Sequence, residues 1–110
     1  MKPARFHPKA RAVLKGFPED VRRELGKAIF DLQKGQKLSM PLSRPMPSVV
    51  EGVDELRVKD RTGAYRVFYL AKLADAVLIF HAFTKKTPRT SPREIALGQK
   101  RLKEMLYEES

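Results

Sequence analysis

Cysteine and tryptophan are absent from this 110-residue chain, histidine occurs twice, and acidic residues are scarce, with 13 Asp+Glu against 23 Lys+Arg. Without cysteine there is neither disulfide nor thiolate chemistry, which fits a reducing cytoplasm. The two histidines, His7 and His81, stand far apart with no carboxylates at metal-ligand spacing, so no metal and no cofactor are expected. No apolar run approaches the ~20 residues of a membrane-spanning helix. The start, Met1-Lys2-Pro3, leads straight into charged sequence and lacks the apolar stretch of a secretory signal, so neither membrane insertion nor export is expected.

What is present is positive charge. A formal net charge of +10 repels itself and attracts polyanions, which makes RNA, DNA, the ribosome, anionic membrane surfaces and an acidic protein partner the candidate ligands. The chain is long enough to bury a single core, so residues 1–110 are expected to form one domain.

Periodicity and punctuation divide the chain. A short extended piece at Ala4 to Phe6 precedes "HPKARAVLKGF", where Pro8 suits a first helical turn and Ala12, Val13 and Phe17 supply a modest apolar side. A second helix begins with Pro18 at a helix-start position, with acids in its first turn and Val21, Leu25, Ala28, Ile29 and Leu32 as one apolar stripe, and ends at Lys34-Gly35. From Gly35 to Gly52 the chain holds Pro41, Pro45 and Pro47, which forbid a regular helix and argue against a central strand, so a long connecting loop is expected. Met40, Leu42 and Met46 are expected to tuck that loop against the core.

The second half alternates as strands at Glu55 to Lys59, Ala64 to Leu70 and Ala76 to Phe83, the last nearly continuous in apolar residues, as in a strand covered on both faces. A final helix begins with Ser91 as N-cap, Pro92 at the first position and Glu94 completing a capping box. Ile95, Leu102, Met105 and Leu106 form its buried stripe. The expected fold class is α+β, a small antiparallel sheet packed against helices in the order β-α-α-β-β-β-α.

Pairing Lys59 with Ala64 across the turn Asp60 to Gly63 sets Arg57 opposite Arg66 and Glu55 opposite Phe68 on one face. Leu56, Val58, Tyr65, Val67 and Tyr69 take the other, core-facing side. Two arginines directly opposite cost roughly 0.2–1 kcal/mol, which calls for an anion between them. Phosphate suits the planar fork of arginine and the point charge of lysine, and Phe68 beside them would stack a base. A solvated, charged hairpin face is the alternative. Beyond the third strand, "FTKKTPRTSPREI" adds Lys85, Lys86, Arg89 and Arg93 as the chain leaves the sheet.

The succession "ELRVKDRTGAYRVFY" and "IFHAFTKKTPRTSPREIALGQKRLKEM" resembles the RelE/ParE toxin superfamily, most closely its HigB-like, phage-derived branch. The resemblance implies a RelE-like, microbial ribonuclease-type fold. It also implies a toxin of a type II toxin–antitoxin pair that cuts mRNA on the 70S ribosome and forms a hetero-oligomer with a helix-turn-helix, HigA-like antitoxin. By position, Arg57, Lys59, Arg66 and Lys85 or Lys86 match places where RNA-cutting members carry cationic catalytic residues. The other readings are a ParE-like gyrase inhibitor and a nucleic-acid-binding protein that does not cut. No C-terminal tyrosine takes the stacking role seen in some RNA-cutting members, which leaves Phe68, Phe83 or Tyr107 to substitute.

Metal-free RNA cleavage needs a base for the 2'-OH, positive charge on the crowded phosphate and an acid for the departing 5'-oxygen. Arg66 does not titrate and is expected to clamp the phosphate. Lys59, its pKa pressed down by Arg57 and Arg66, is the expected base, with Lys85 or Lys86 as acid or second clamp. Phe68, His81, Arg89 and Arg93 are the expected RNA contacts, although His81, inside an apolar strand, also reads as a hydrogen-bonded core histidine.

Overall fold

The computed structural model describes residues 1–109, with side chains described through Tyr107. The elements run β1 (Ala4–Phe6), α1 (Pro8–Lys15), α2 (Glu19–Gln33), β2 (Ser43–Pro45), β3 (Asp54–Asp60), β4 (Gly63–Leu70), β5 (Val77–Lys85) and α3 (Pro92–Glu109). They form one five-stranded sheet in the order β1-β5-β4-β3-β2, consistent with the expected α+β class and RelE-like fold.

Local chemistry places most boundaries. His7 caps α1, its Nδ1 accepting from the Lys9 amide, and Pro8 fills the first position, where no amide hydrogen is required. Gly35 ends α2 at φ 87°, donating to the Leu32 carbonyl while the Gln36 amide donates to that of Asp31, a Schellman closure that favours glycine. At α3 the Ser91 hydroxyl accepts from the Glu94 amide, yet the Glu94 carboxylate accepts from His81 instead of closing the expected capping box.

Two expectations about the sheet are corrected. It is mixed rather than antiparallel, because β1 pairs parallel to β5, from Ala4↔Val77 to Phe6↔Ile79. The proline-rich segment also contributes a strand, β2, which pairs antiparallel to β3 with Ser43 opposite Leu56. Pro45 is tolerated there because β2 lies at the sheet edge, where its missing amide hydrogen costs no ladder bond.

Both sheet faces are covered. On one, the α2 stripe Val21, Leu25, Ala28, Ile29 and Leu32 packs with Phe17 against Leu56, Val58, Tyr65, Val67, Tyr69, Val77 and Ile79. On the other, Leu102 and Met105 of α3, with Met46, Val49 and Val53 of the loop, cover Phe68, Leu78, Phe80 and Phe83. The expected apolar sides need small corrections. α1 buries Ala10 and half-buries Leu14 while Ala12 and Val13 face solvent, and Met40 and Leu106 are exposed.

A bulge in β5 decides what the second face carries. Phe68 pairs with His81 but Tyr69 pairs with Ile79, leaving Phe80 without a partner. The extra residue shifts the two-residue alternation, so His81, Phe83 and Lys85 take the face of Phe68 and Arg66 rather than that of Ile79.

Gly98 of α3 lies directly on the buried Phe68 ring, where a Cβ would meet Cδ2 at 2.7 Å and Cε2 at 3.0 Å. Gly98→Ala gains about 1 kcal/mol of helix propensity but incurs an overpacking cost of about 1–3 kcal/mol, so it should lower the thermal midpoint. Gly26→Ala, on the exposed side of α2 with nothing within 4 Å, should raise it. Thermal unfolding of the two variants checks both signs, and a Gly98→Ala protein at least as stable as the parent contradicts the packing account.

Candidate nucleic-acid interface

The hairpin register matches the alternation in the sequence. Lys59 pairs with Ala64, Arg57 with Arg66 and Glu55 with Phe68. The β4–β5 pairing extends those rows to Lys85, Phe83 and His81. One sheet face therefore carries Lys59–Ala64–Lys85 in the row nearest the turn, then Arg57–Arg66–Phe83, then Glu55–Phe68–His81. α3 and the loop before it cover the third row; in the second, Arg66 and Phe83 are buried and Arg57 half-buried, and in the first Lys59 is exposed and Lys85 half-buried.

The anion between the two arginines belongs to the protein. The Glu55 side chain is fully buried, and its Oε1 lies 3.2 Å from Arg44 Nε, 3.7 Å from Arg66 Nε and 3.8 Å from Arg57 Nε. Oε2 accepts from the Thr90 hydroxyl at 3.4 Å. Three guanidiniums around one carboxylate leave the group cationic, and burial, then the neighbouring Arg57 and Arg44, pull the Arg66 pKa below its ordinary value against the opposing pull of Glu55. Arg66 nevertheless stays protonated, as a guanidinium does throughout the physiological range.

Two clefts adjoin this group. One, of about 400 Å³, wraps over the edge of β3 and is lined by Arg57, Lys59 and Arg66 together with Pro41, Leu42 and Glu24. The other, of about 260 Å³, lies where the chain leaves β5, with Phe83, Lys85, Lys86, Arg89, Ser91 and Glu94 among its walls. Arg93, exposed on the first turn of α3, lines neither. The Lys85 ammonium holds its proton more loosely than an ordinary lysine, because of partial burial first and the Arg66 guanidinium second, with Arg44 and Arg57 adding to the effect and Glu55 opposing it. Lys85, in the same row as Lys59, is thus a lysine whose proton the arginines loosen.

Two expected RNA contacts are corrected. Phe68 is fully buried, its ring among Phe80, His81 and Phe83 at centroid distances of 6.2, 5.5 and 5.4 Å, so it offers no face to a base. His81 is buried as well. Its Nδ1 accepts from Arg101 Nη1 at 2.7 Å, which places the ring proton on Nε2, the donor to Glu94 at 2.8 Å. The histidine is a core group that joins β5 to α3. Arg44, Glu55 and Arg101 are the members of this region that the sequence left without a role, and Glu94 was expected only in a capping box. Glu55 was already on the right face by alternation, whereas Arg44 sat in a segment with no strand signal.

Among the described residues, no group of three or more His, Asp or Glu side chains is placed to hold a metal ion. No helix is long and apolar enough to cross a membrane among those residues.

Desolvation dominates the His81 pKa and lowers it; the Glu94 hydrogen bond opposes this, and the charges of Arg101 and, at longer range, His7 reinforce it. A histidine with a lowered folded-state pKa binds its proton more readily in the unfolded chain. Its contribution to stability is therefore complete above the unfolded value near 6.5 and declines as pH falls from there toward the folded value. Urea unfolding across pH 5 to 8 should show stability dropping on the acid side, with a shallower drop in His81→Asn. Equal slopes in the two proteins would count against this assignment.

The family model described as "Phage derived protein Gp49-like (DUF891)" matches residues 12–103, which span α1 to the middle of α3. No curated protein matches the chain. With most of its length matched, the chain belongs to the phage-derived Gp49-like family, a RelE/toxin-like group.

Proposed function

We propose that this protein is the toxin of a type II toxin–antitoxin pair, a ribosome-dependent mRNA endonuclease that works without metal in the bacterial cytoplasm. The observation that carries the reading is the cationic face, where exposed Lys59 and half-buried Lys85 and Arg57 converge over two rows of the sheet with buried Arg66 lining the cleft between α2 and β3, and Lys85 has a loosened proton. Family membership and the net charge of +10 support it. The same charge suits an acidic segment of a cognate antitoxin that covers this face or blocks access to the ribosome.

The chemistry follows from which groups exchange protons. The Lys85 amine takes the proton of the 2'-OH, the 2'-oxygen bonds to the adjacent phosphorus, and the bond from phosphorus to the 5'-oxygen breaks. The products are a 2',3'-cyclic phosphate and a 5'-hydroxyl end. Lys59, across Ala64 from Lys85, donates the proton that the departing oxygen needs. Arg57 and Arg66 remain charged and stabilise the crowded phosphate, while Lys86 and Arg89 hold the flanking backbone.

In a translating bacterial extract with a defined mRNA, the protein should cut within the translated region only when ribosomes are present. Lys85→Arg retains the charge but not the proton exchange and should slow cutting by about 100-fold or more. The parent rate should climb with pH as Lys85 deprotonates, the midpoint of that limb lying below the ordinary lysine value near 10.4, and Lys85→Arg should lack that limb. Intact mRNA beside an active control toxin overturns the proposal and turns attention to gyrase inhibition or RNA binding without cleavage.

A further inference from the structure

Glu55 is an unusual occupant of a phosphate-binding face. It is fully buried, and its carboxylate is within 4 Å of three arginines, yet only Arg44 Nε, at 3.2 Å, is close enough for a hydrogen bond. The Nε atoms of Arg57 and Arg66 are buried and have no hydrogen-bond partner. Such donors are costly to leave unmade, and a carboxylate a few tenths of an ångström nearer would satisfy them. The carboxylate offsets part of the charge of the two guanidiniums without consuming their Nε donors. Its second oxygen, through Thr90, ties the arginines to the loop that follows Lys85 and carries Lys86 and Arg89.

We propose that Glu55 is a positioning residue for the phosphate site, an internal counter-anion that holds Arg44, Arg57 and Arg66 converged so that an incoming phosphodiester meets a preassembled cradle. The inference rests on the reading of this face as an RNA-cleaving site. Two consequences separate positioning from scaffolding. Removing the negative charge strengthens the attraction for polyanions while it disorders the arginines, so binding and turnover move in opposite directions. The charged groups around Lys85 are Arg66 on β4, Arg57, Glu55 and Lys59 on β3, Arg44 on β2, and Lys86, Arg89 and Glu94 beyond β5. Of the groups acting on the Lys85 titration, Glu55 favours the charged ammonium and the three arginines disfavour it.

The test uses Glu55→Gln, the charge-restoring pair Glu55→Gln with Arg44→Gln, and Glu55→Asp, which keeps the charge but withdraws it by one methylene. Three quantities are measured: affinity for an RNA oligonucleotide with a 2'-deoxy sugar at the cleavage position, kcat on the translated mRNA, and the Lys85 titration by NMR of 13C-labelled lysine, assigned with Lys85→Arg. Glu55→Gln should bind the oligonucleotide more tightly, lose about 10- to 100-fold in kcat and lower the Lys85 midpoint, and Arg44→Gln should move that midpoint back. Glu55→Asp should leave the midpoint near that of the parent and still lower kcat. The inference is overturned by an unmoved Lys85 midpoint in folded Glu55→Gln, by binding and kcat that fall together, or by parental kcat in Glu55→Asp. Should Glu55→Gln not fold, the kcat of Glu55→Asp decides. Should the parent protein cut no mRNA, the function proposed above fails, while the titration and the affinity still decide whether Glu55 sets the cradle; if Glu55→Gln does not fold in that case, the titration and affinity of Glu55→Asp decide, and parental values of both overturn the inference.

Discussion

The cationic face of this sheet depends on one buried carboxylate. Arg57 and Arg66 face each other across β3 and β4 in a like-charge pairing that is itself unfavourable, and Glu55 lies within 4 Å of both. Removing one partner from a buried ion pair typically costs about 3–5 kcal/mol, a large share of the roughly 5–15 kcal/mol that holds a small domain together. Replacing a whole buried pair with well-packed apolar residues is often neutral or stabilising. Stability alone therefore gives little reason to keep four charged groups here, and a site that needs converged guanidiniums gives a better one.

A second constraint sets which residues join that site. The bulge at Phe80 moves His81, Phe83 and Lys85 to the face of Arg66, so a single unpaired residue brings the loosened lysine beside the arginines. It also aims His81 at α3, where Glu94 and Arg101 bracket the ring. A second histidine repeats the theme at the other end of the helix, with His7 Nε2 2.8 Å from Glu104. α3 is thus held to the sheet by apolar packing along Leu102 and Met105 and by a histidine–glutamate pair toward each end. It covers Phe68 and so closes the third row of the face.

The expectations that failed share a cause. Phe68 reads from alternation as an aromatic on an outward face, and alternation is correct about the face. It cannot report that Gly98, thirty positions along the chain, allows a helix to approach close enough to bury the ring. Glu94 reads as half of a capping box because Ser91 stands three residues earlier, but a buried histidine on β5 is the stronger competitor for its carboxylate. In both cases a local rule placed the backbone correctly and a distant residue chose the partner.

The sequence by itself determined the hairpin register, the buried stripe of α2, the helix starts at Pro8 and Pro92 and the excess of positive charge, because period, capping and composition act within one element. Only the tertiary structure decided that β1 runs parallel to β5, that Ser43–Pro45 joins the edge as a strand and brings Arg44 to Glu55, that a bulge turns Lys85 toward the arginines, and that their counter-anion is internal. Each of these depends on contacts between segments far apart in the chain. Their energies arise from burial and charge balance in the assembled fold, which no single stretch of residues encodes.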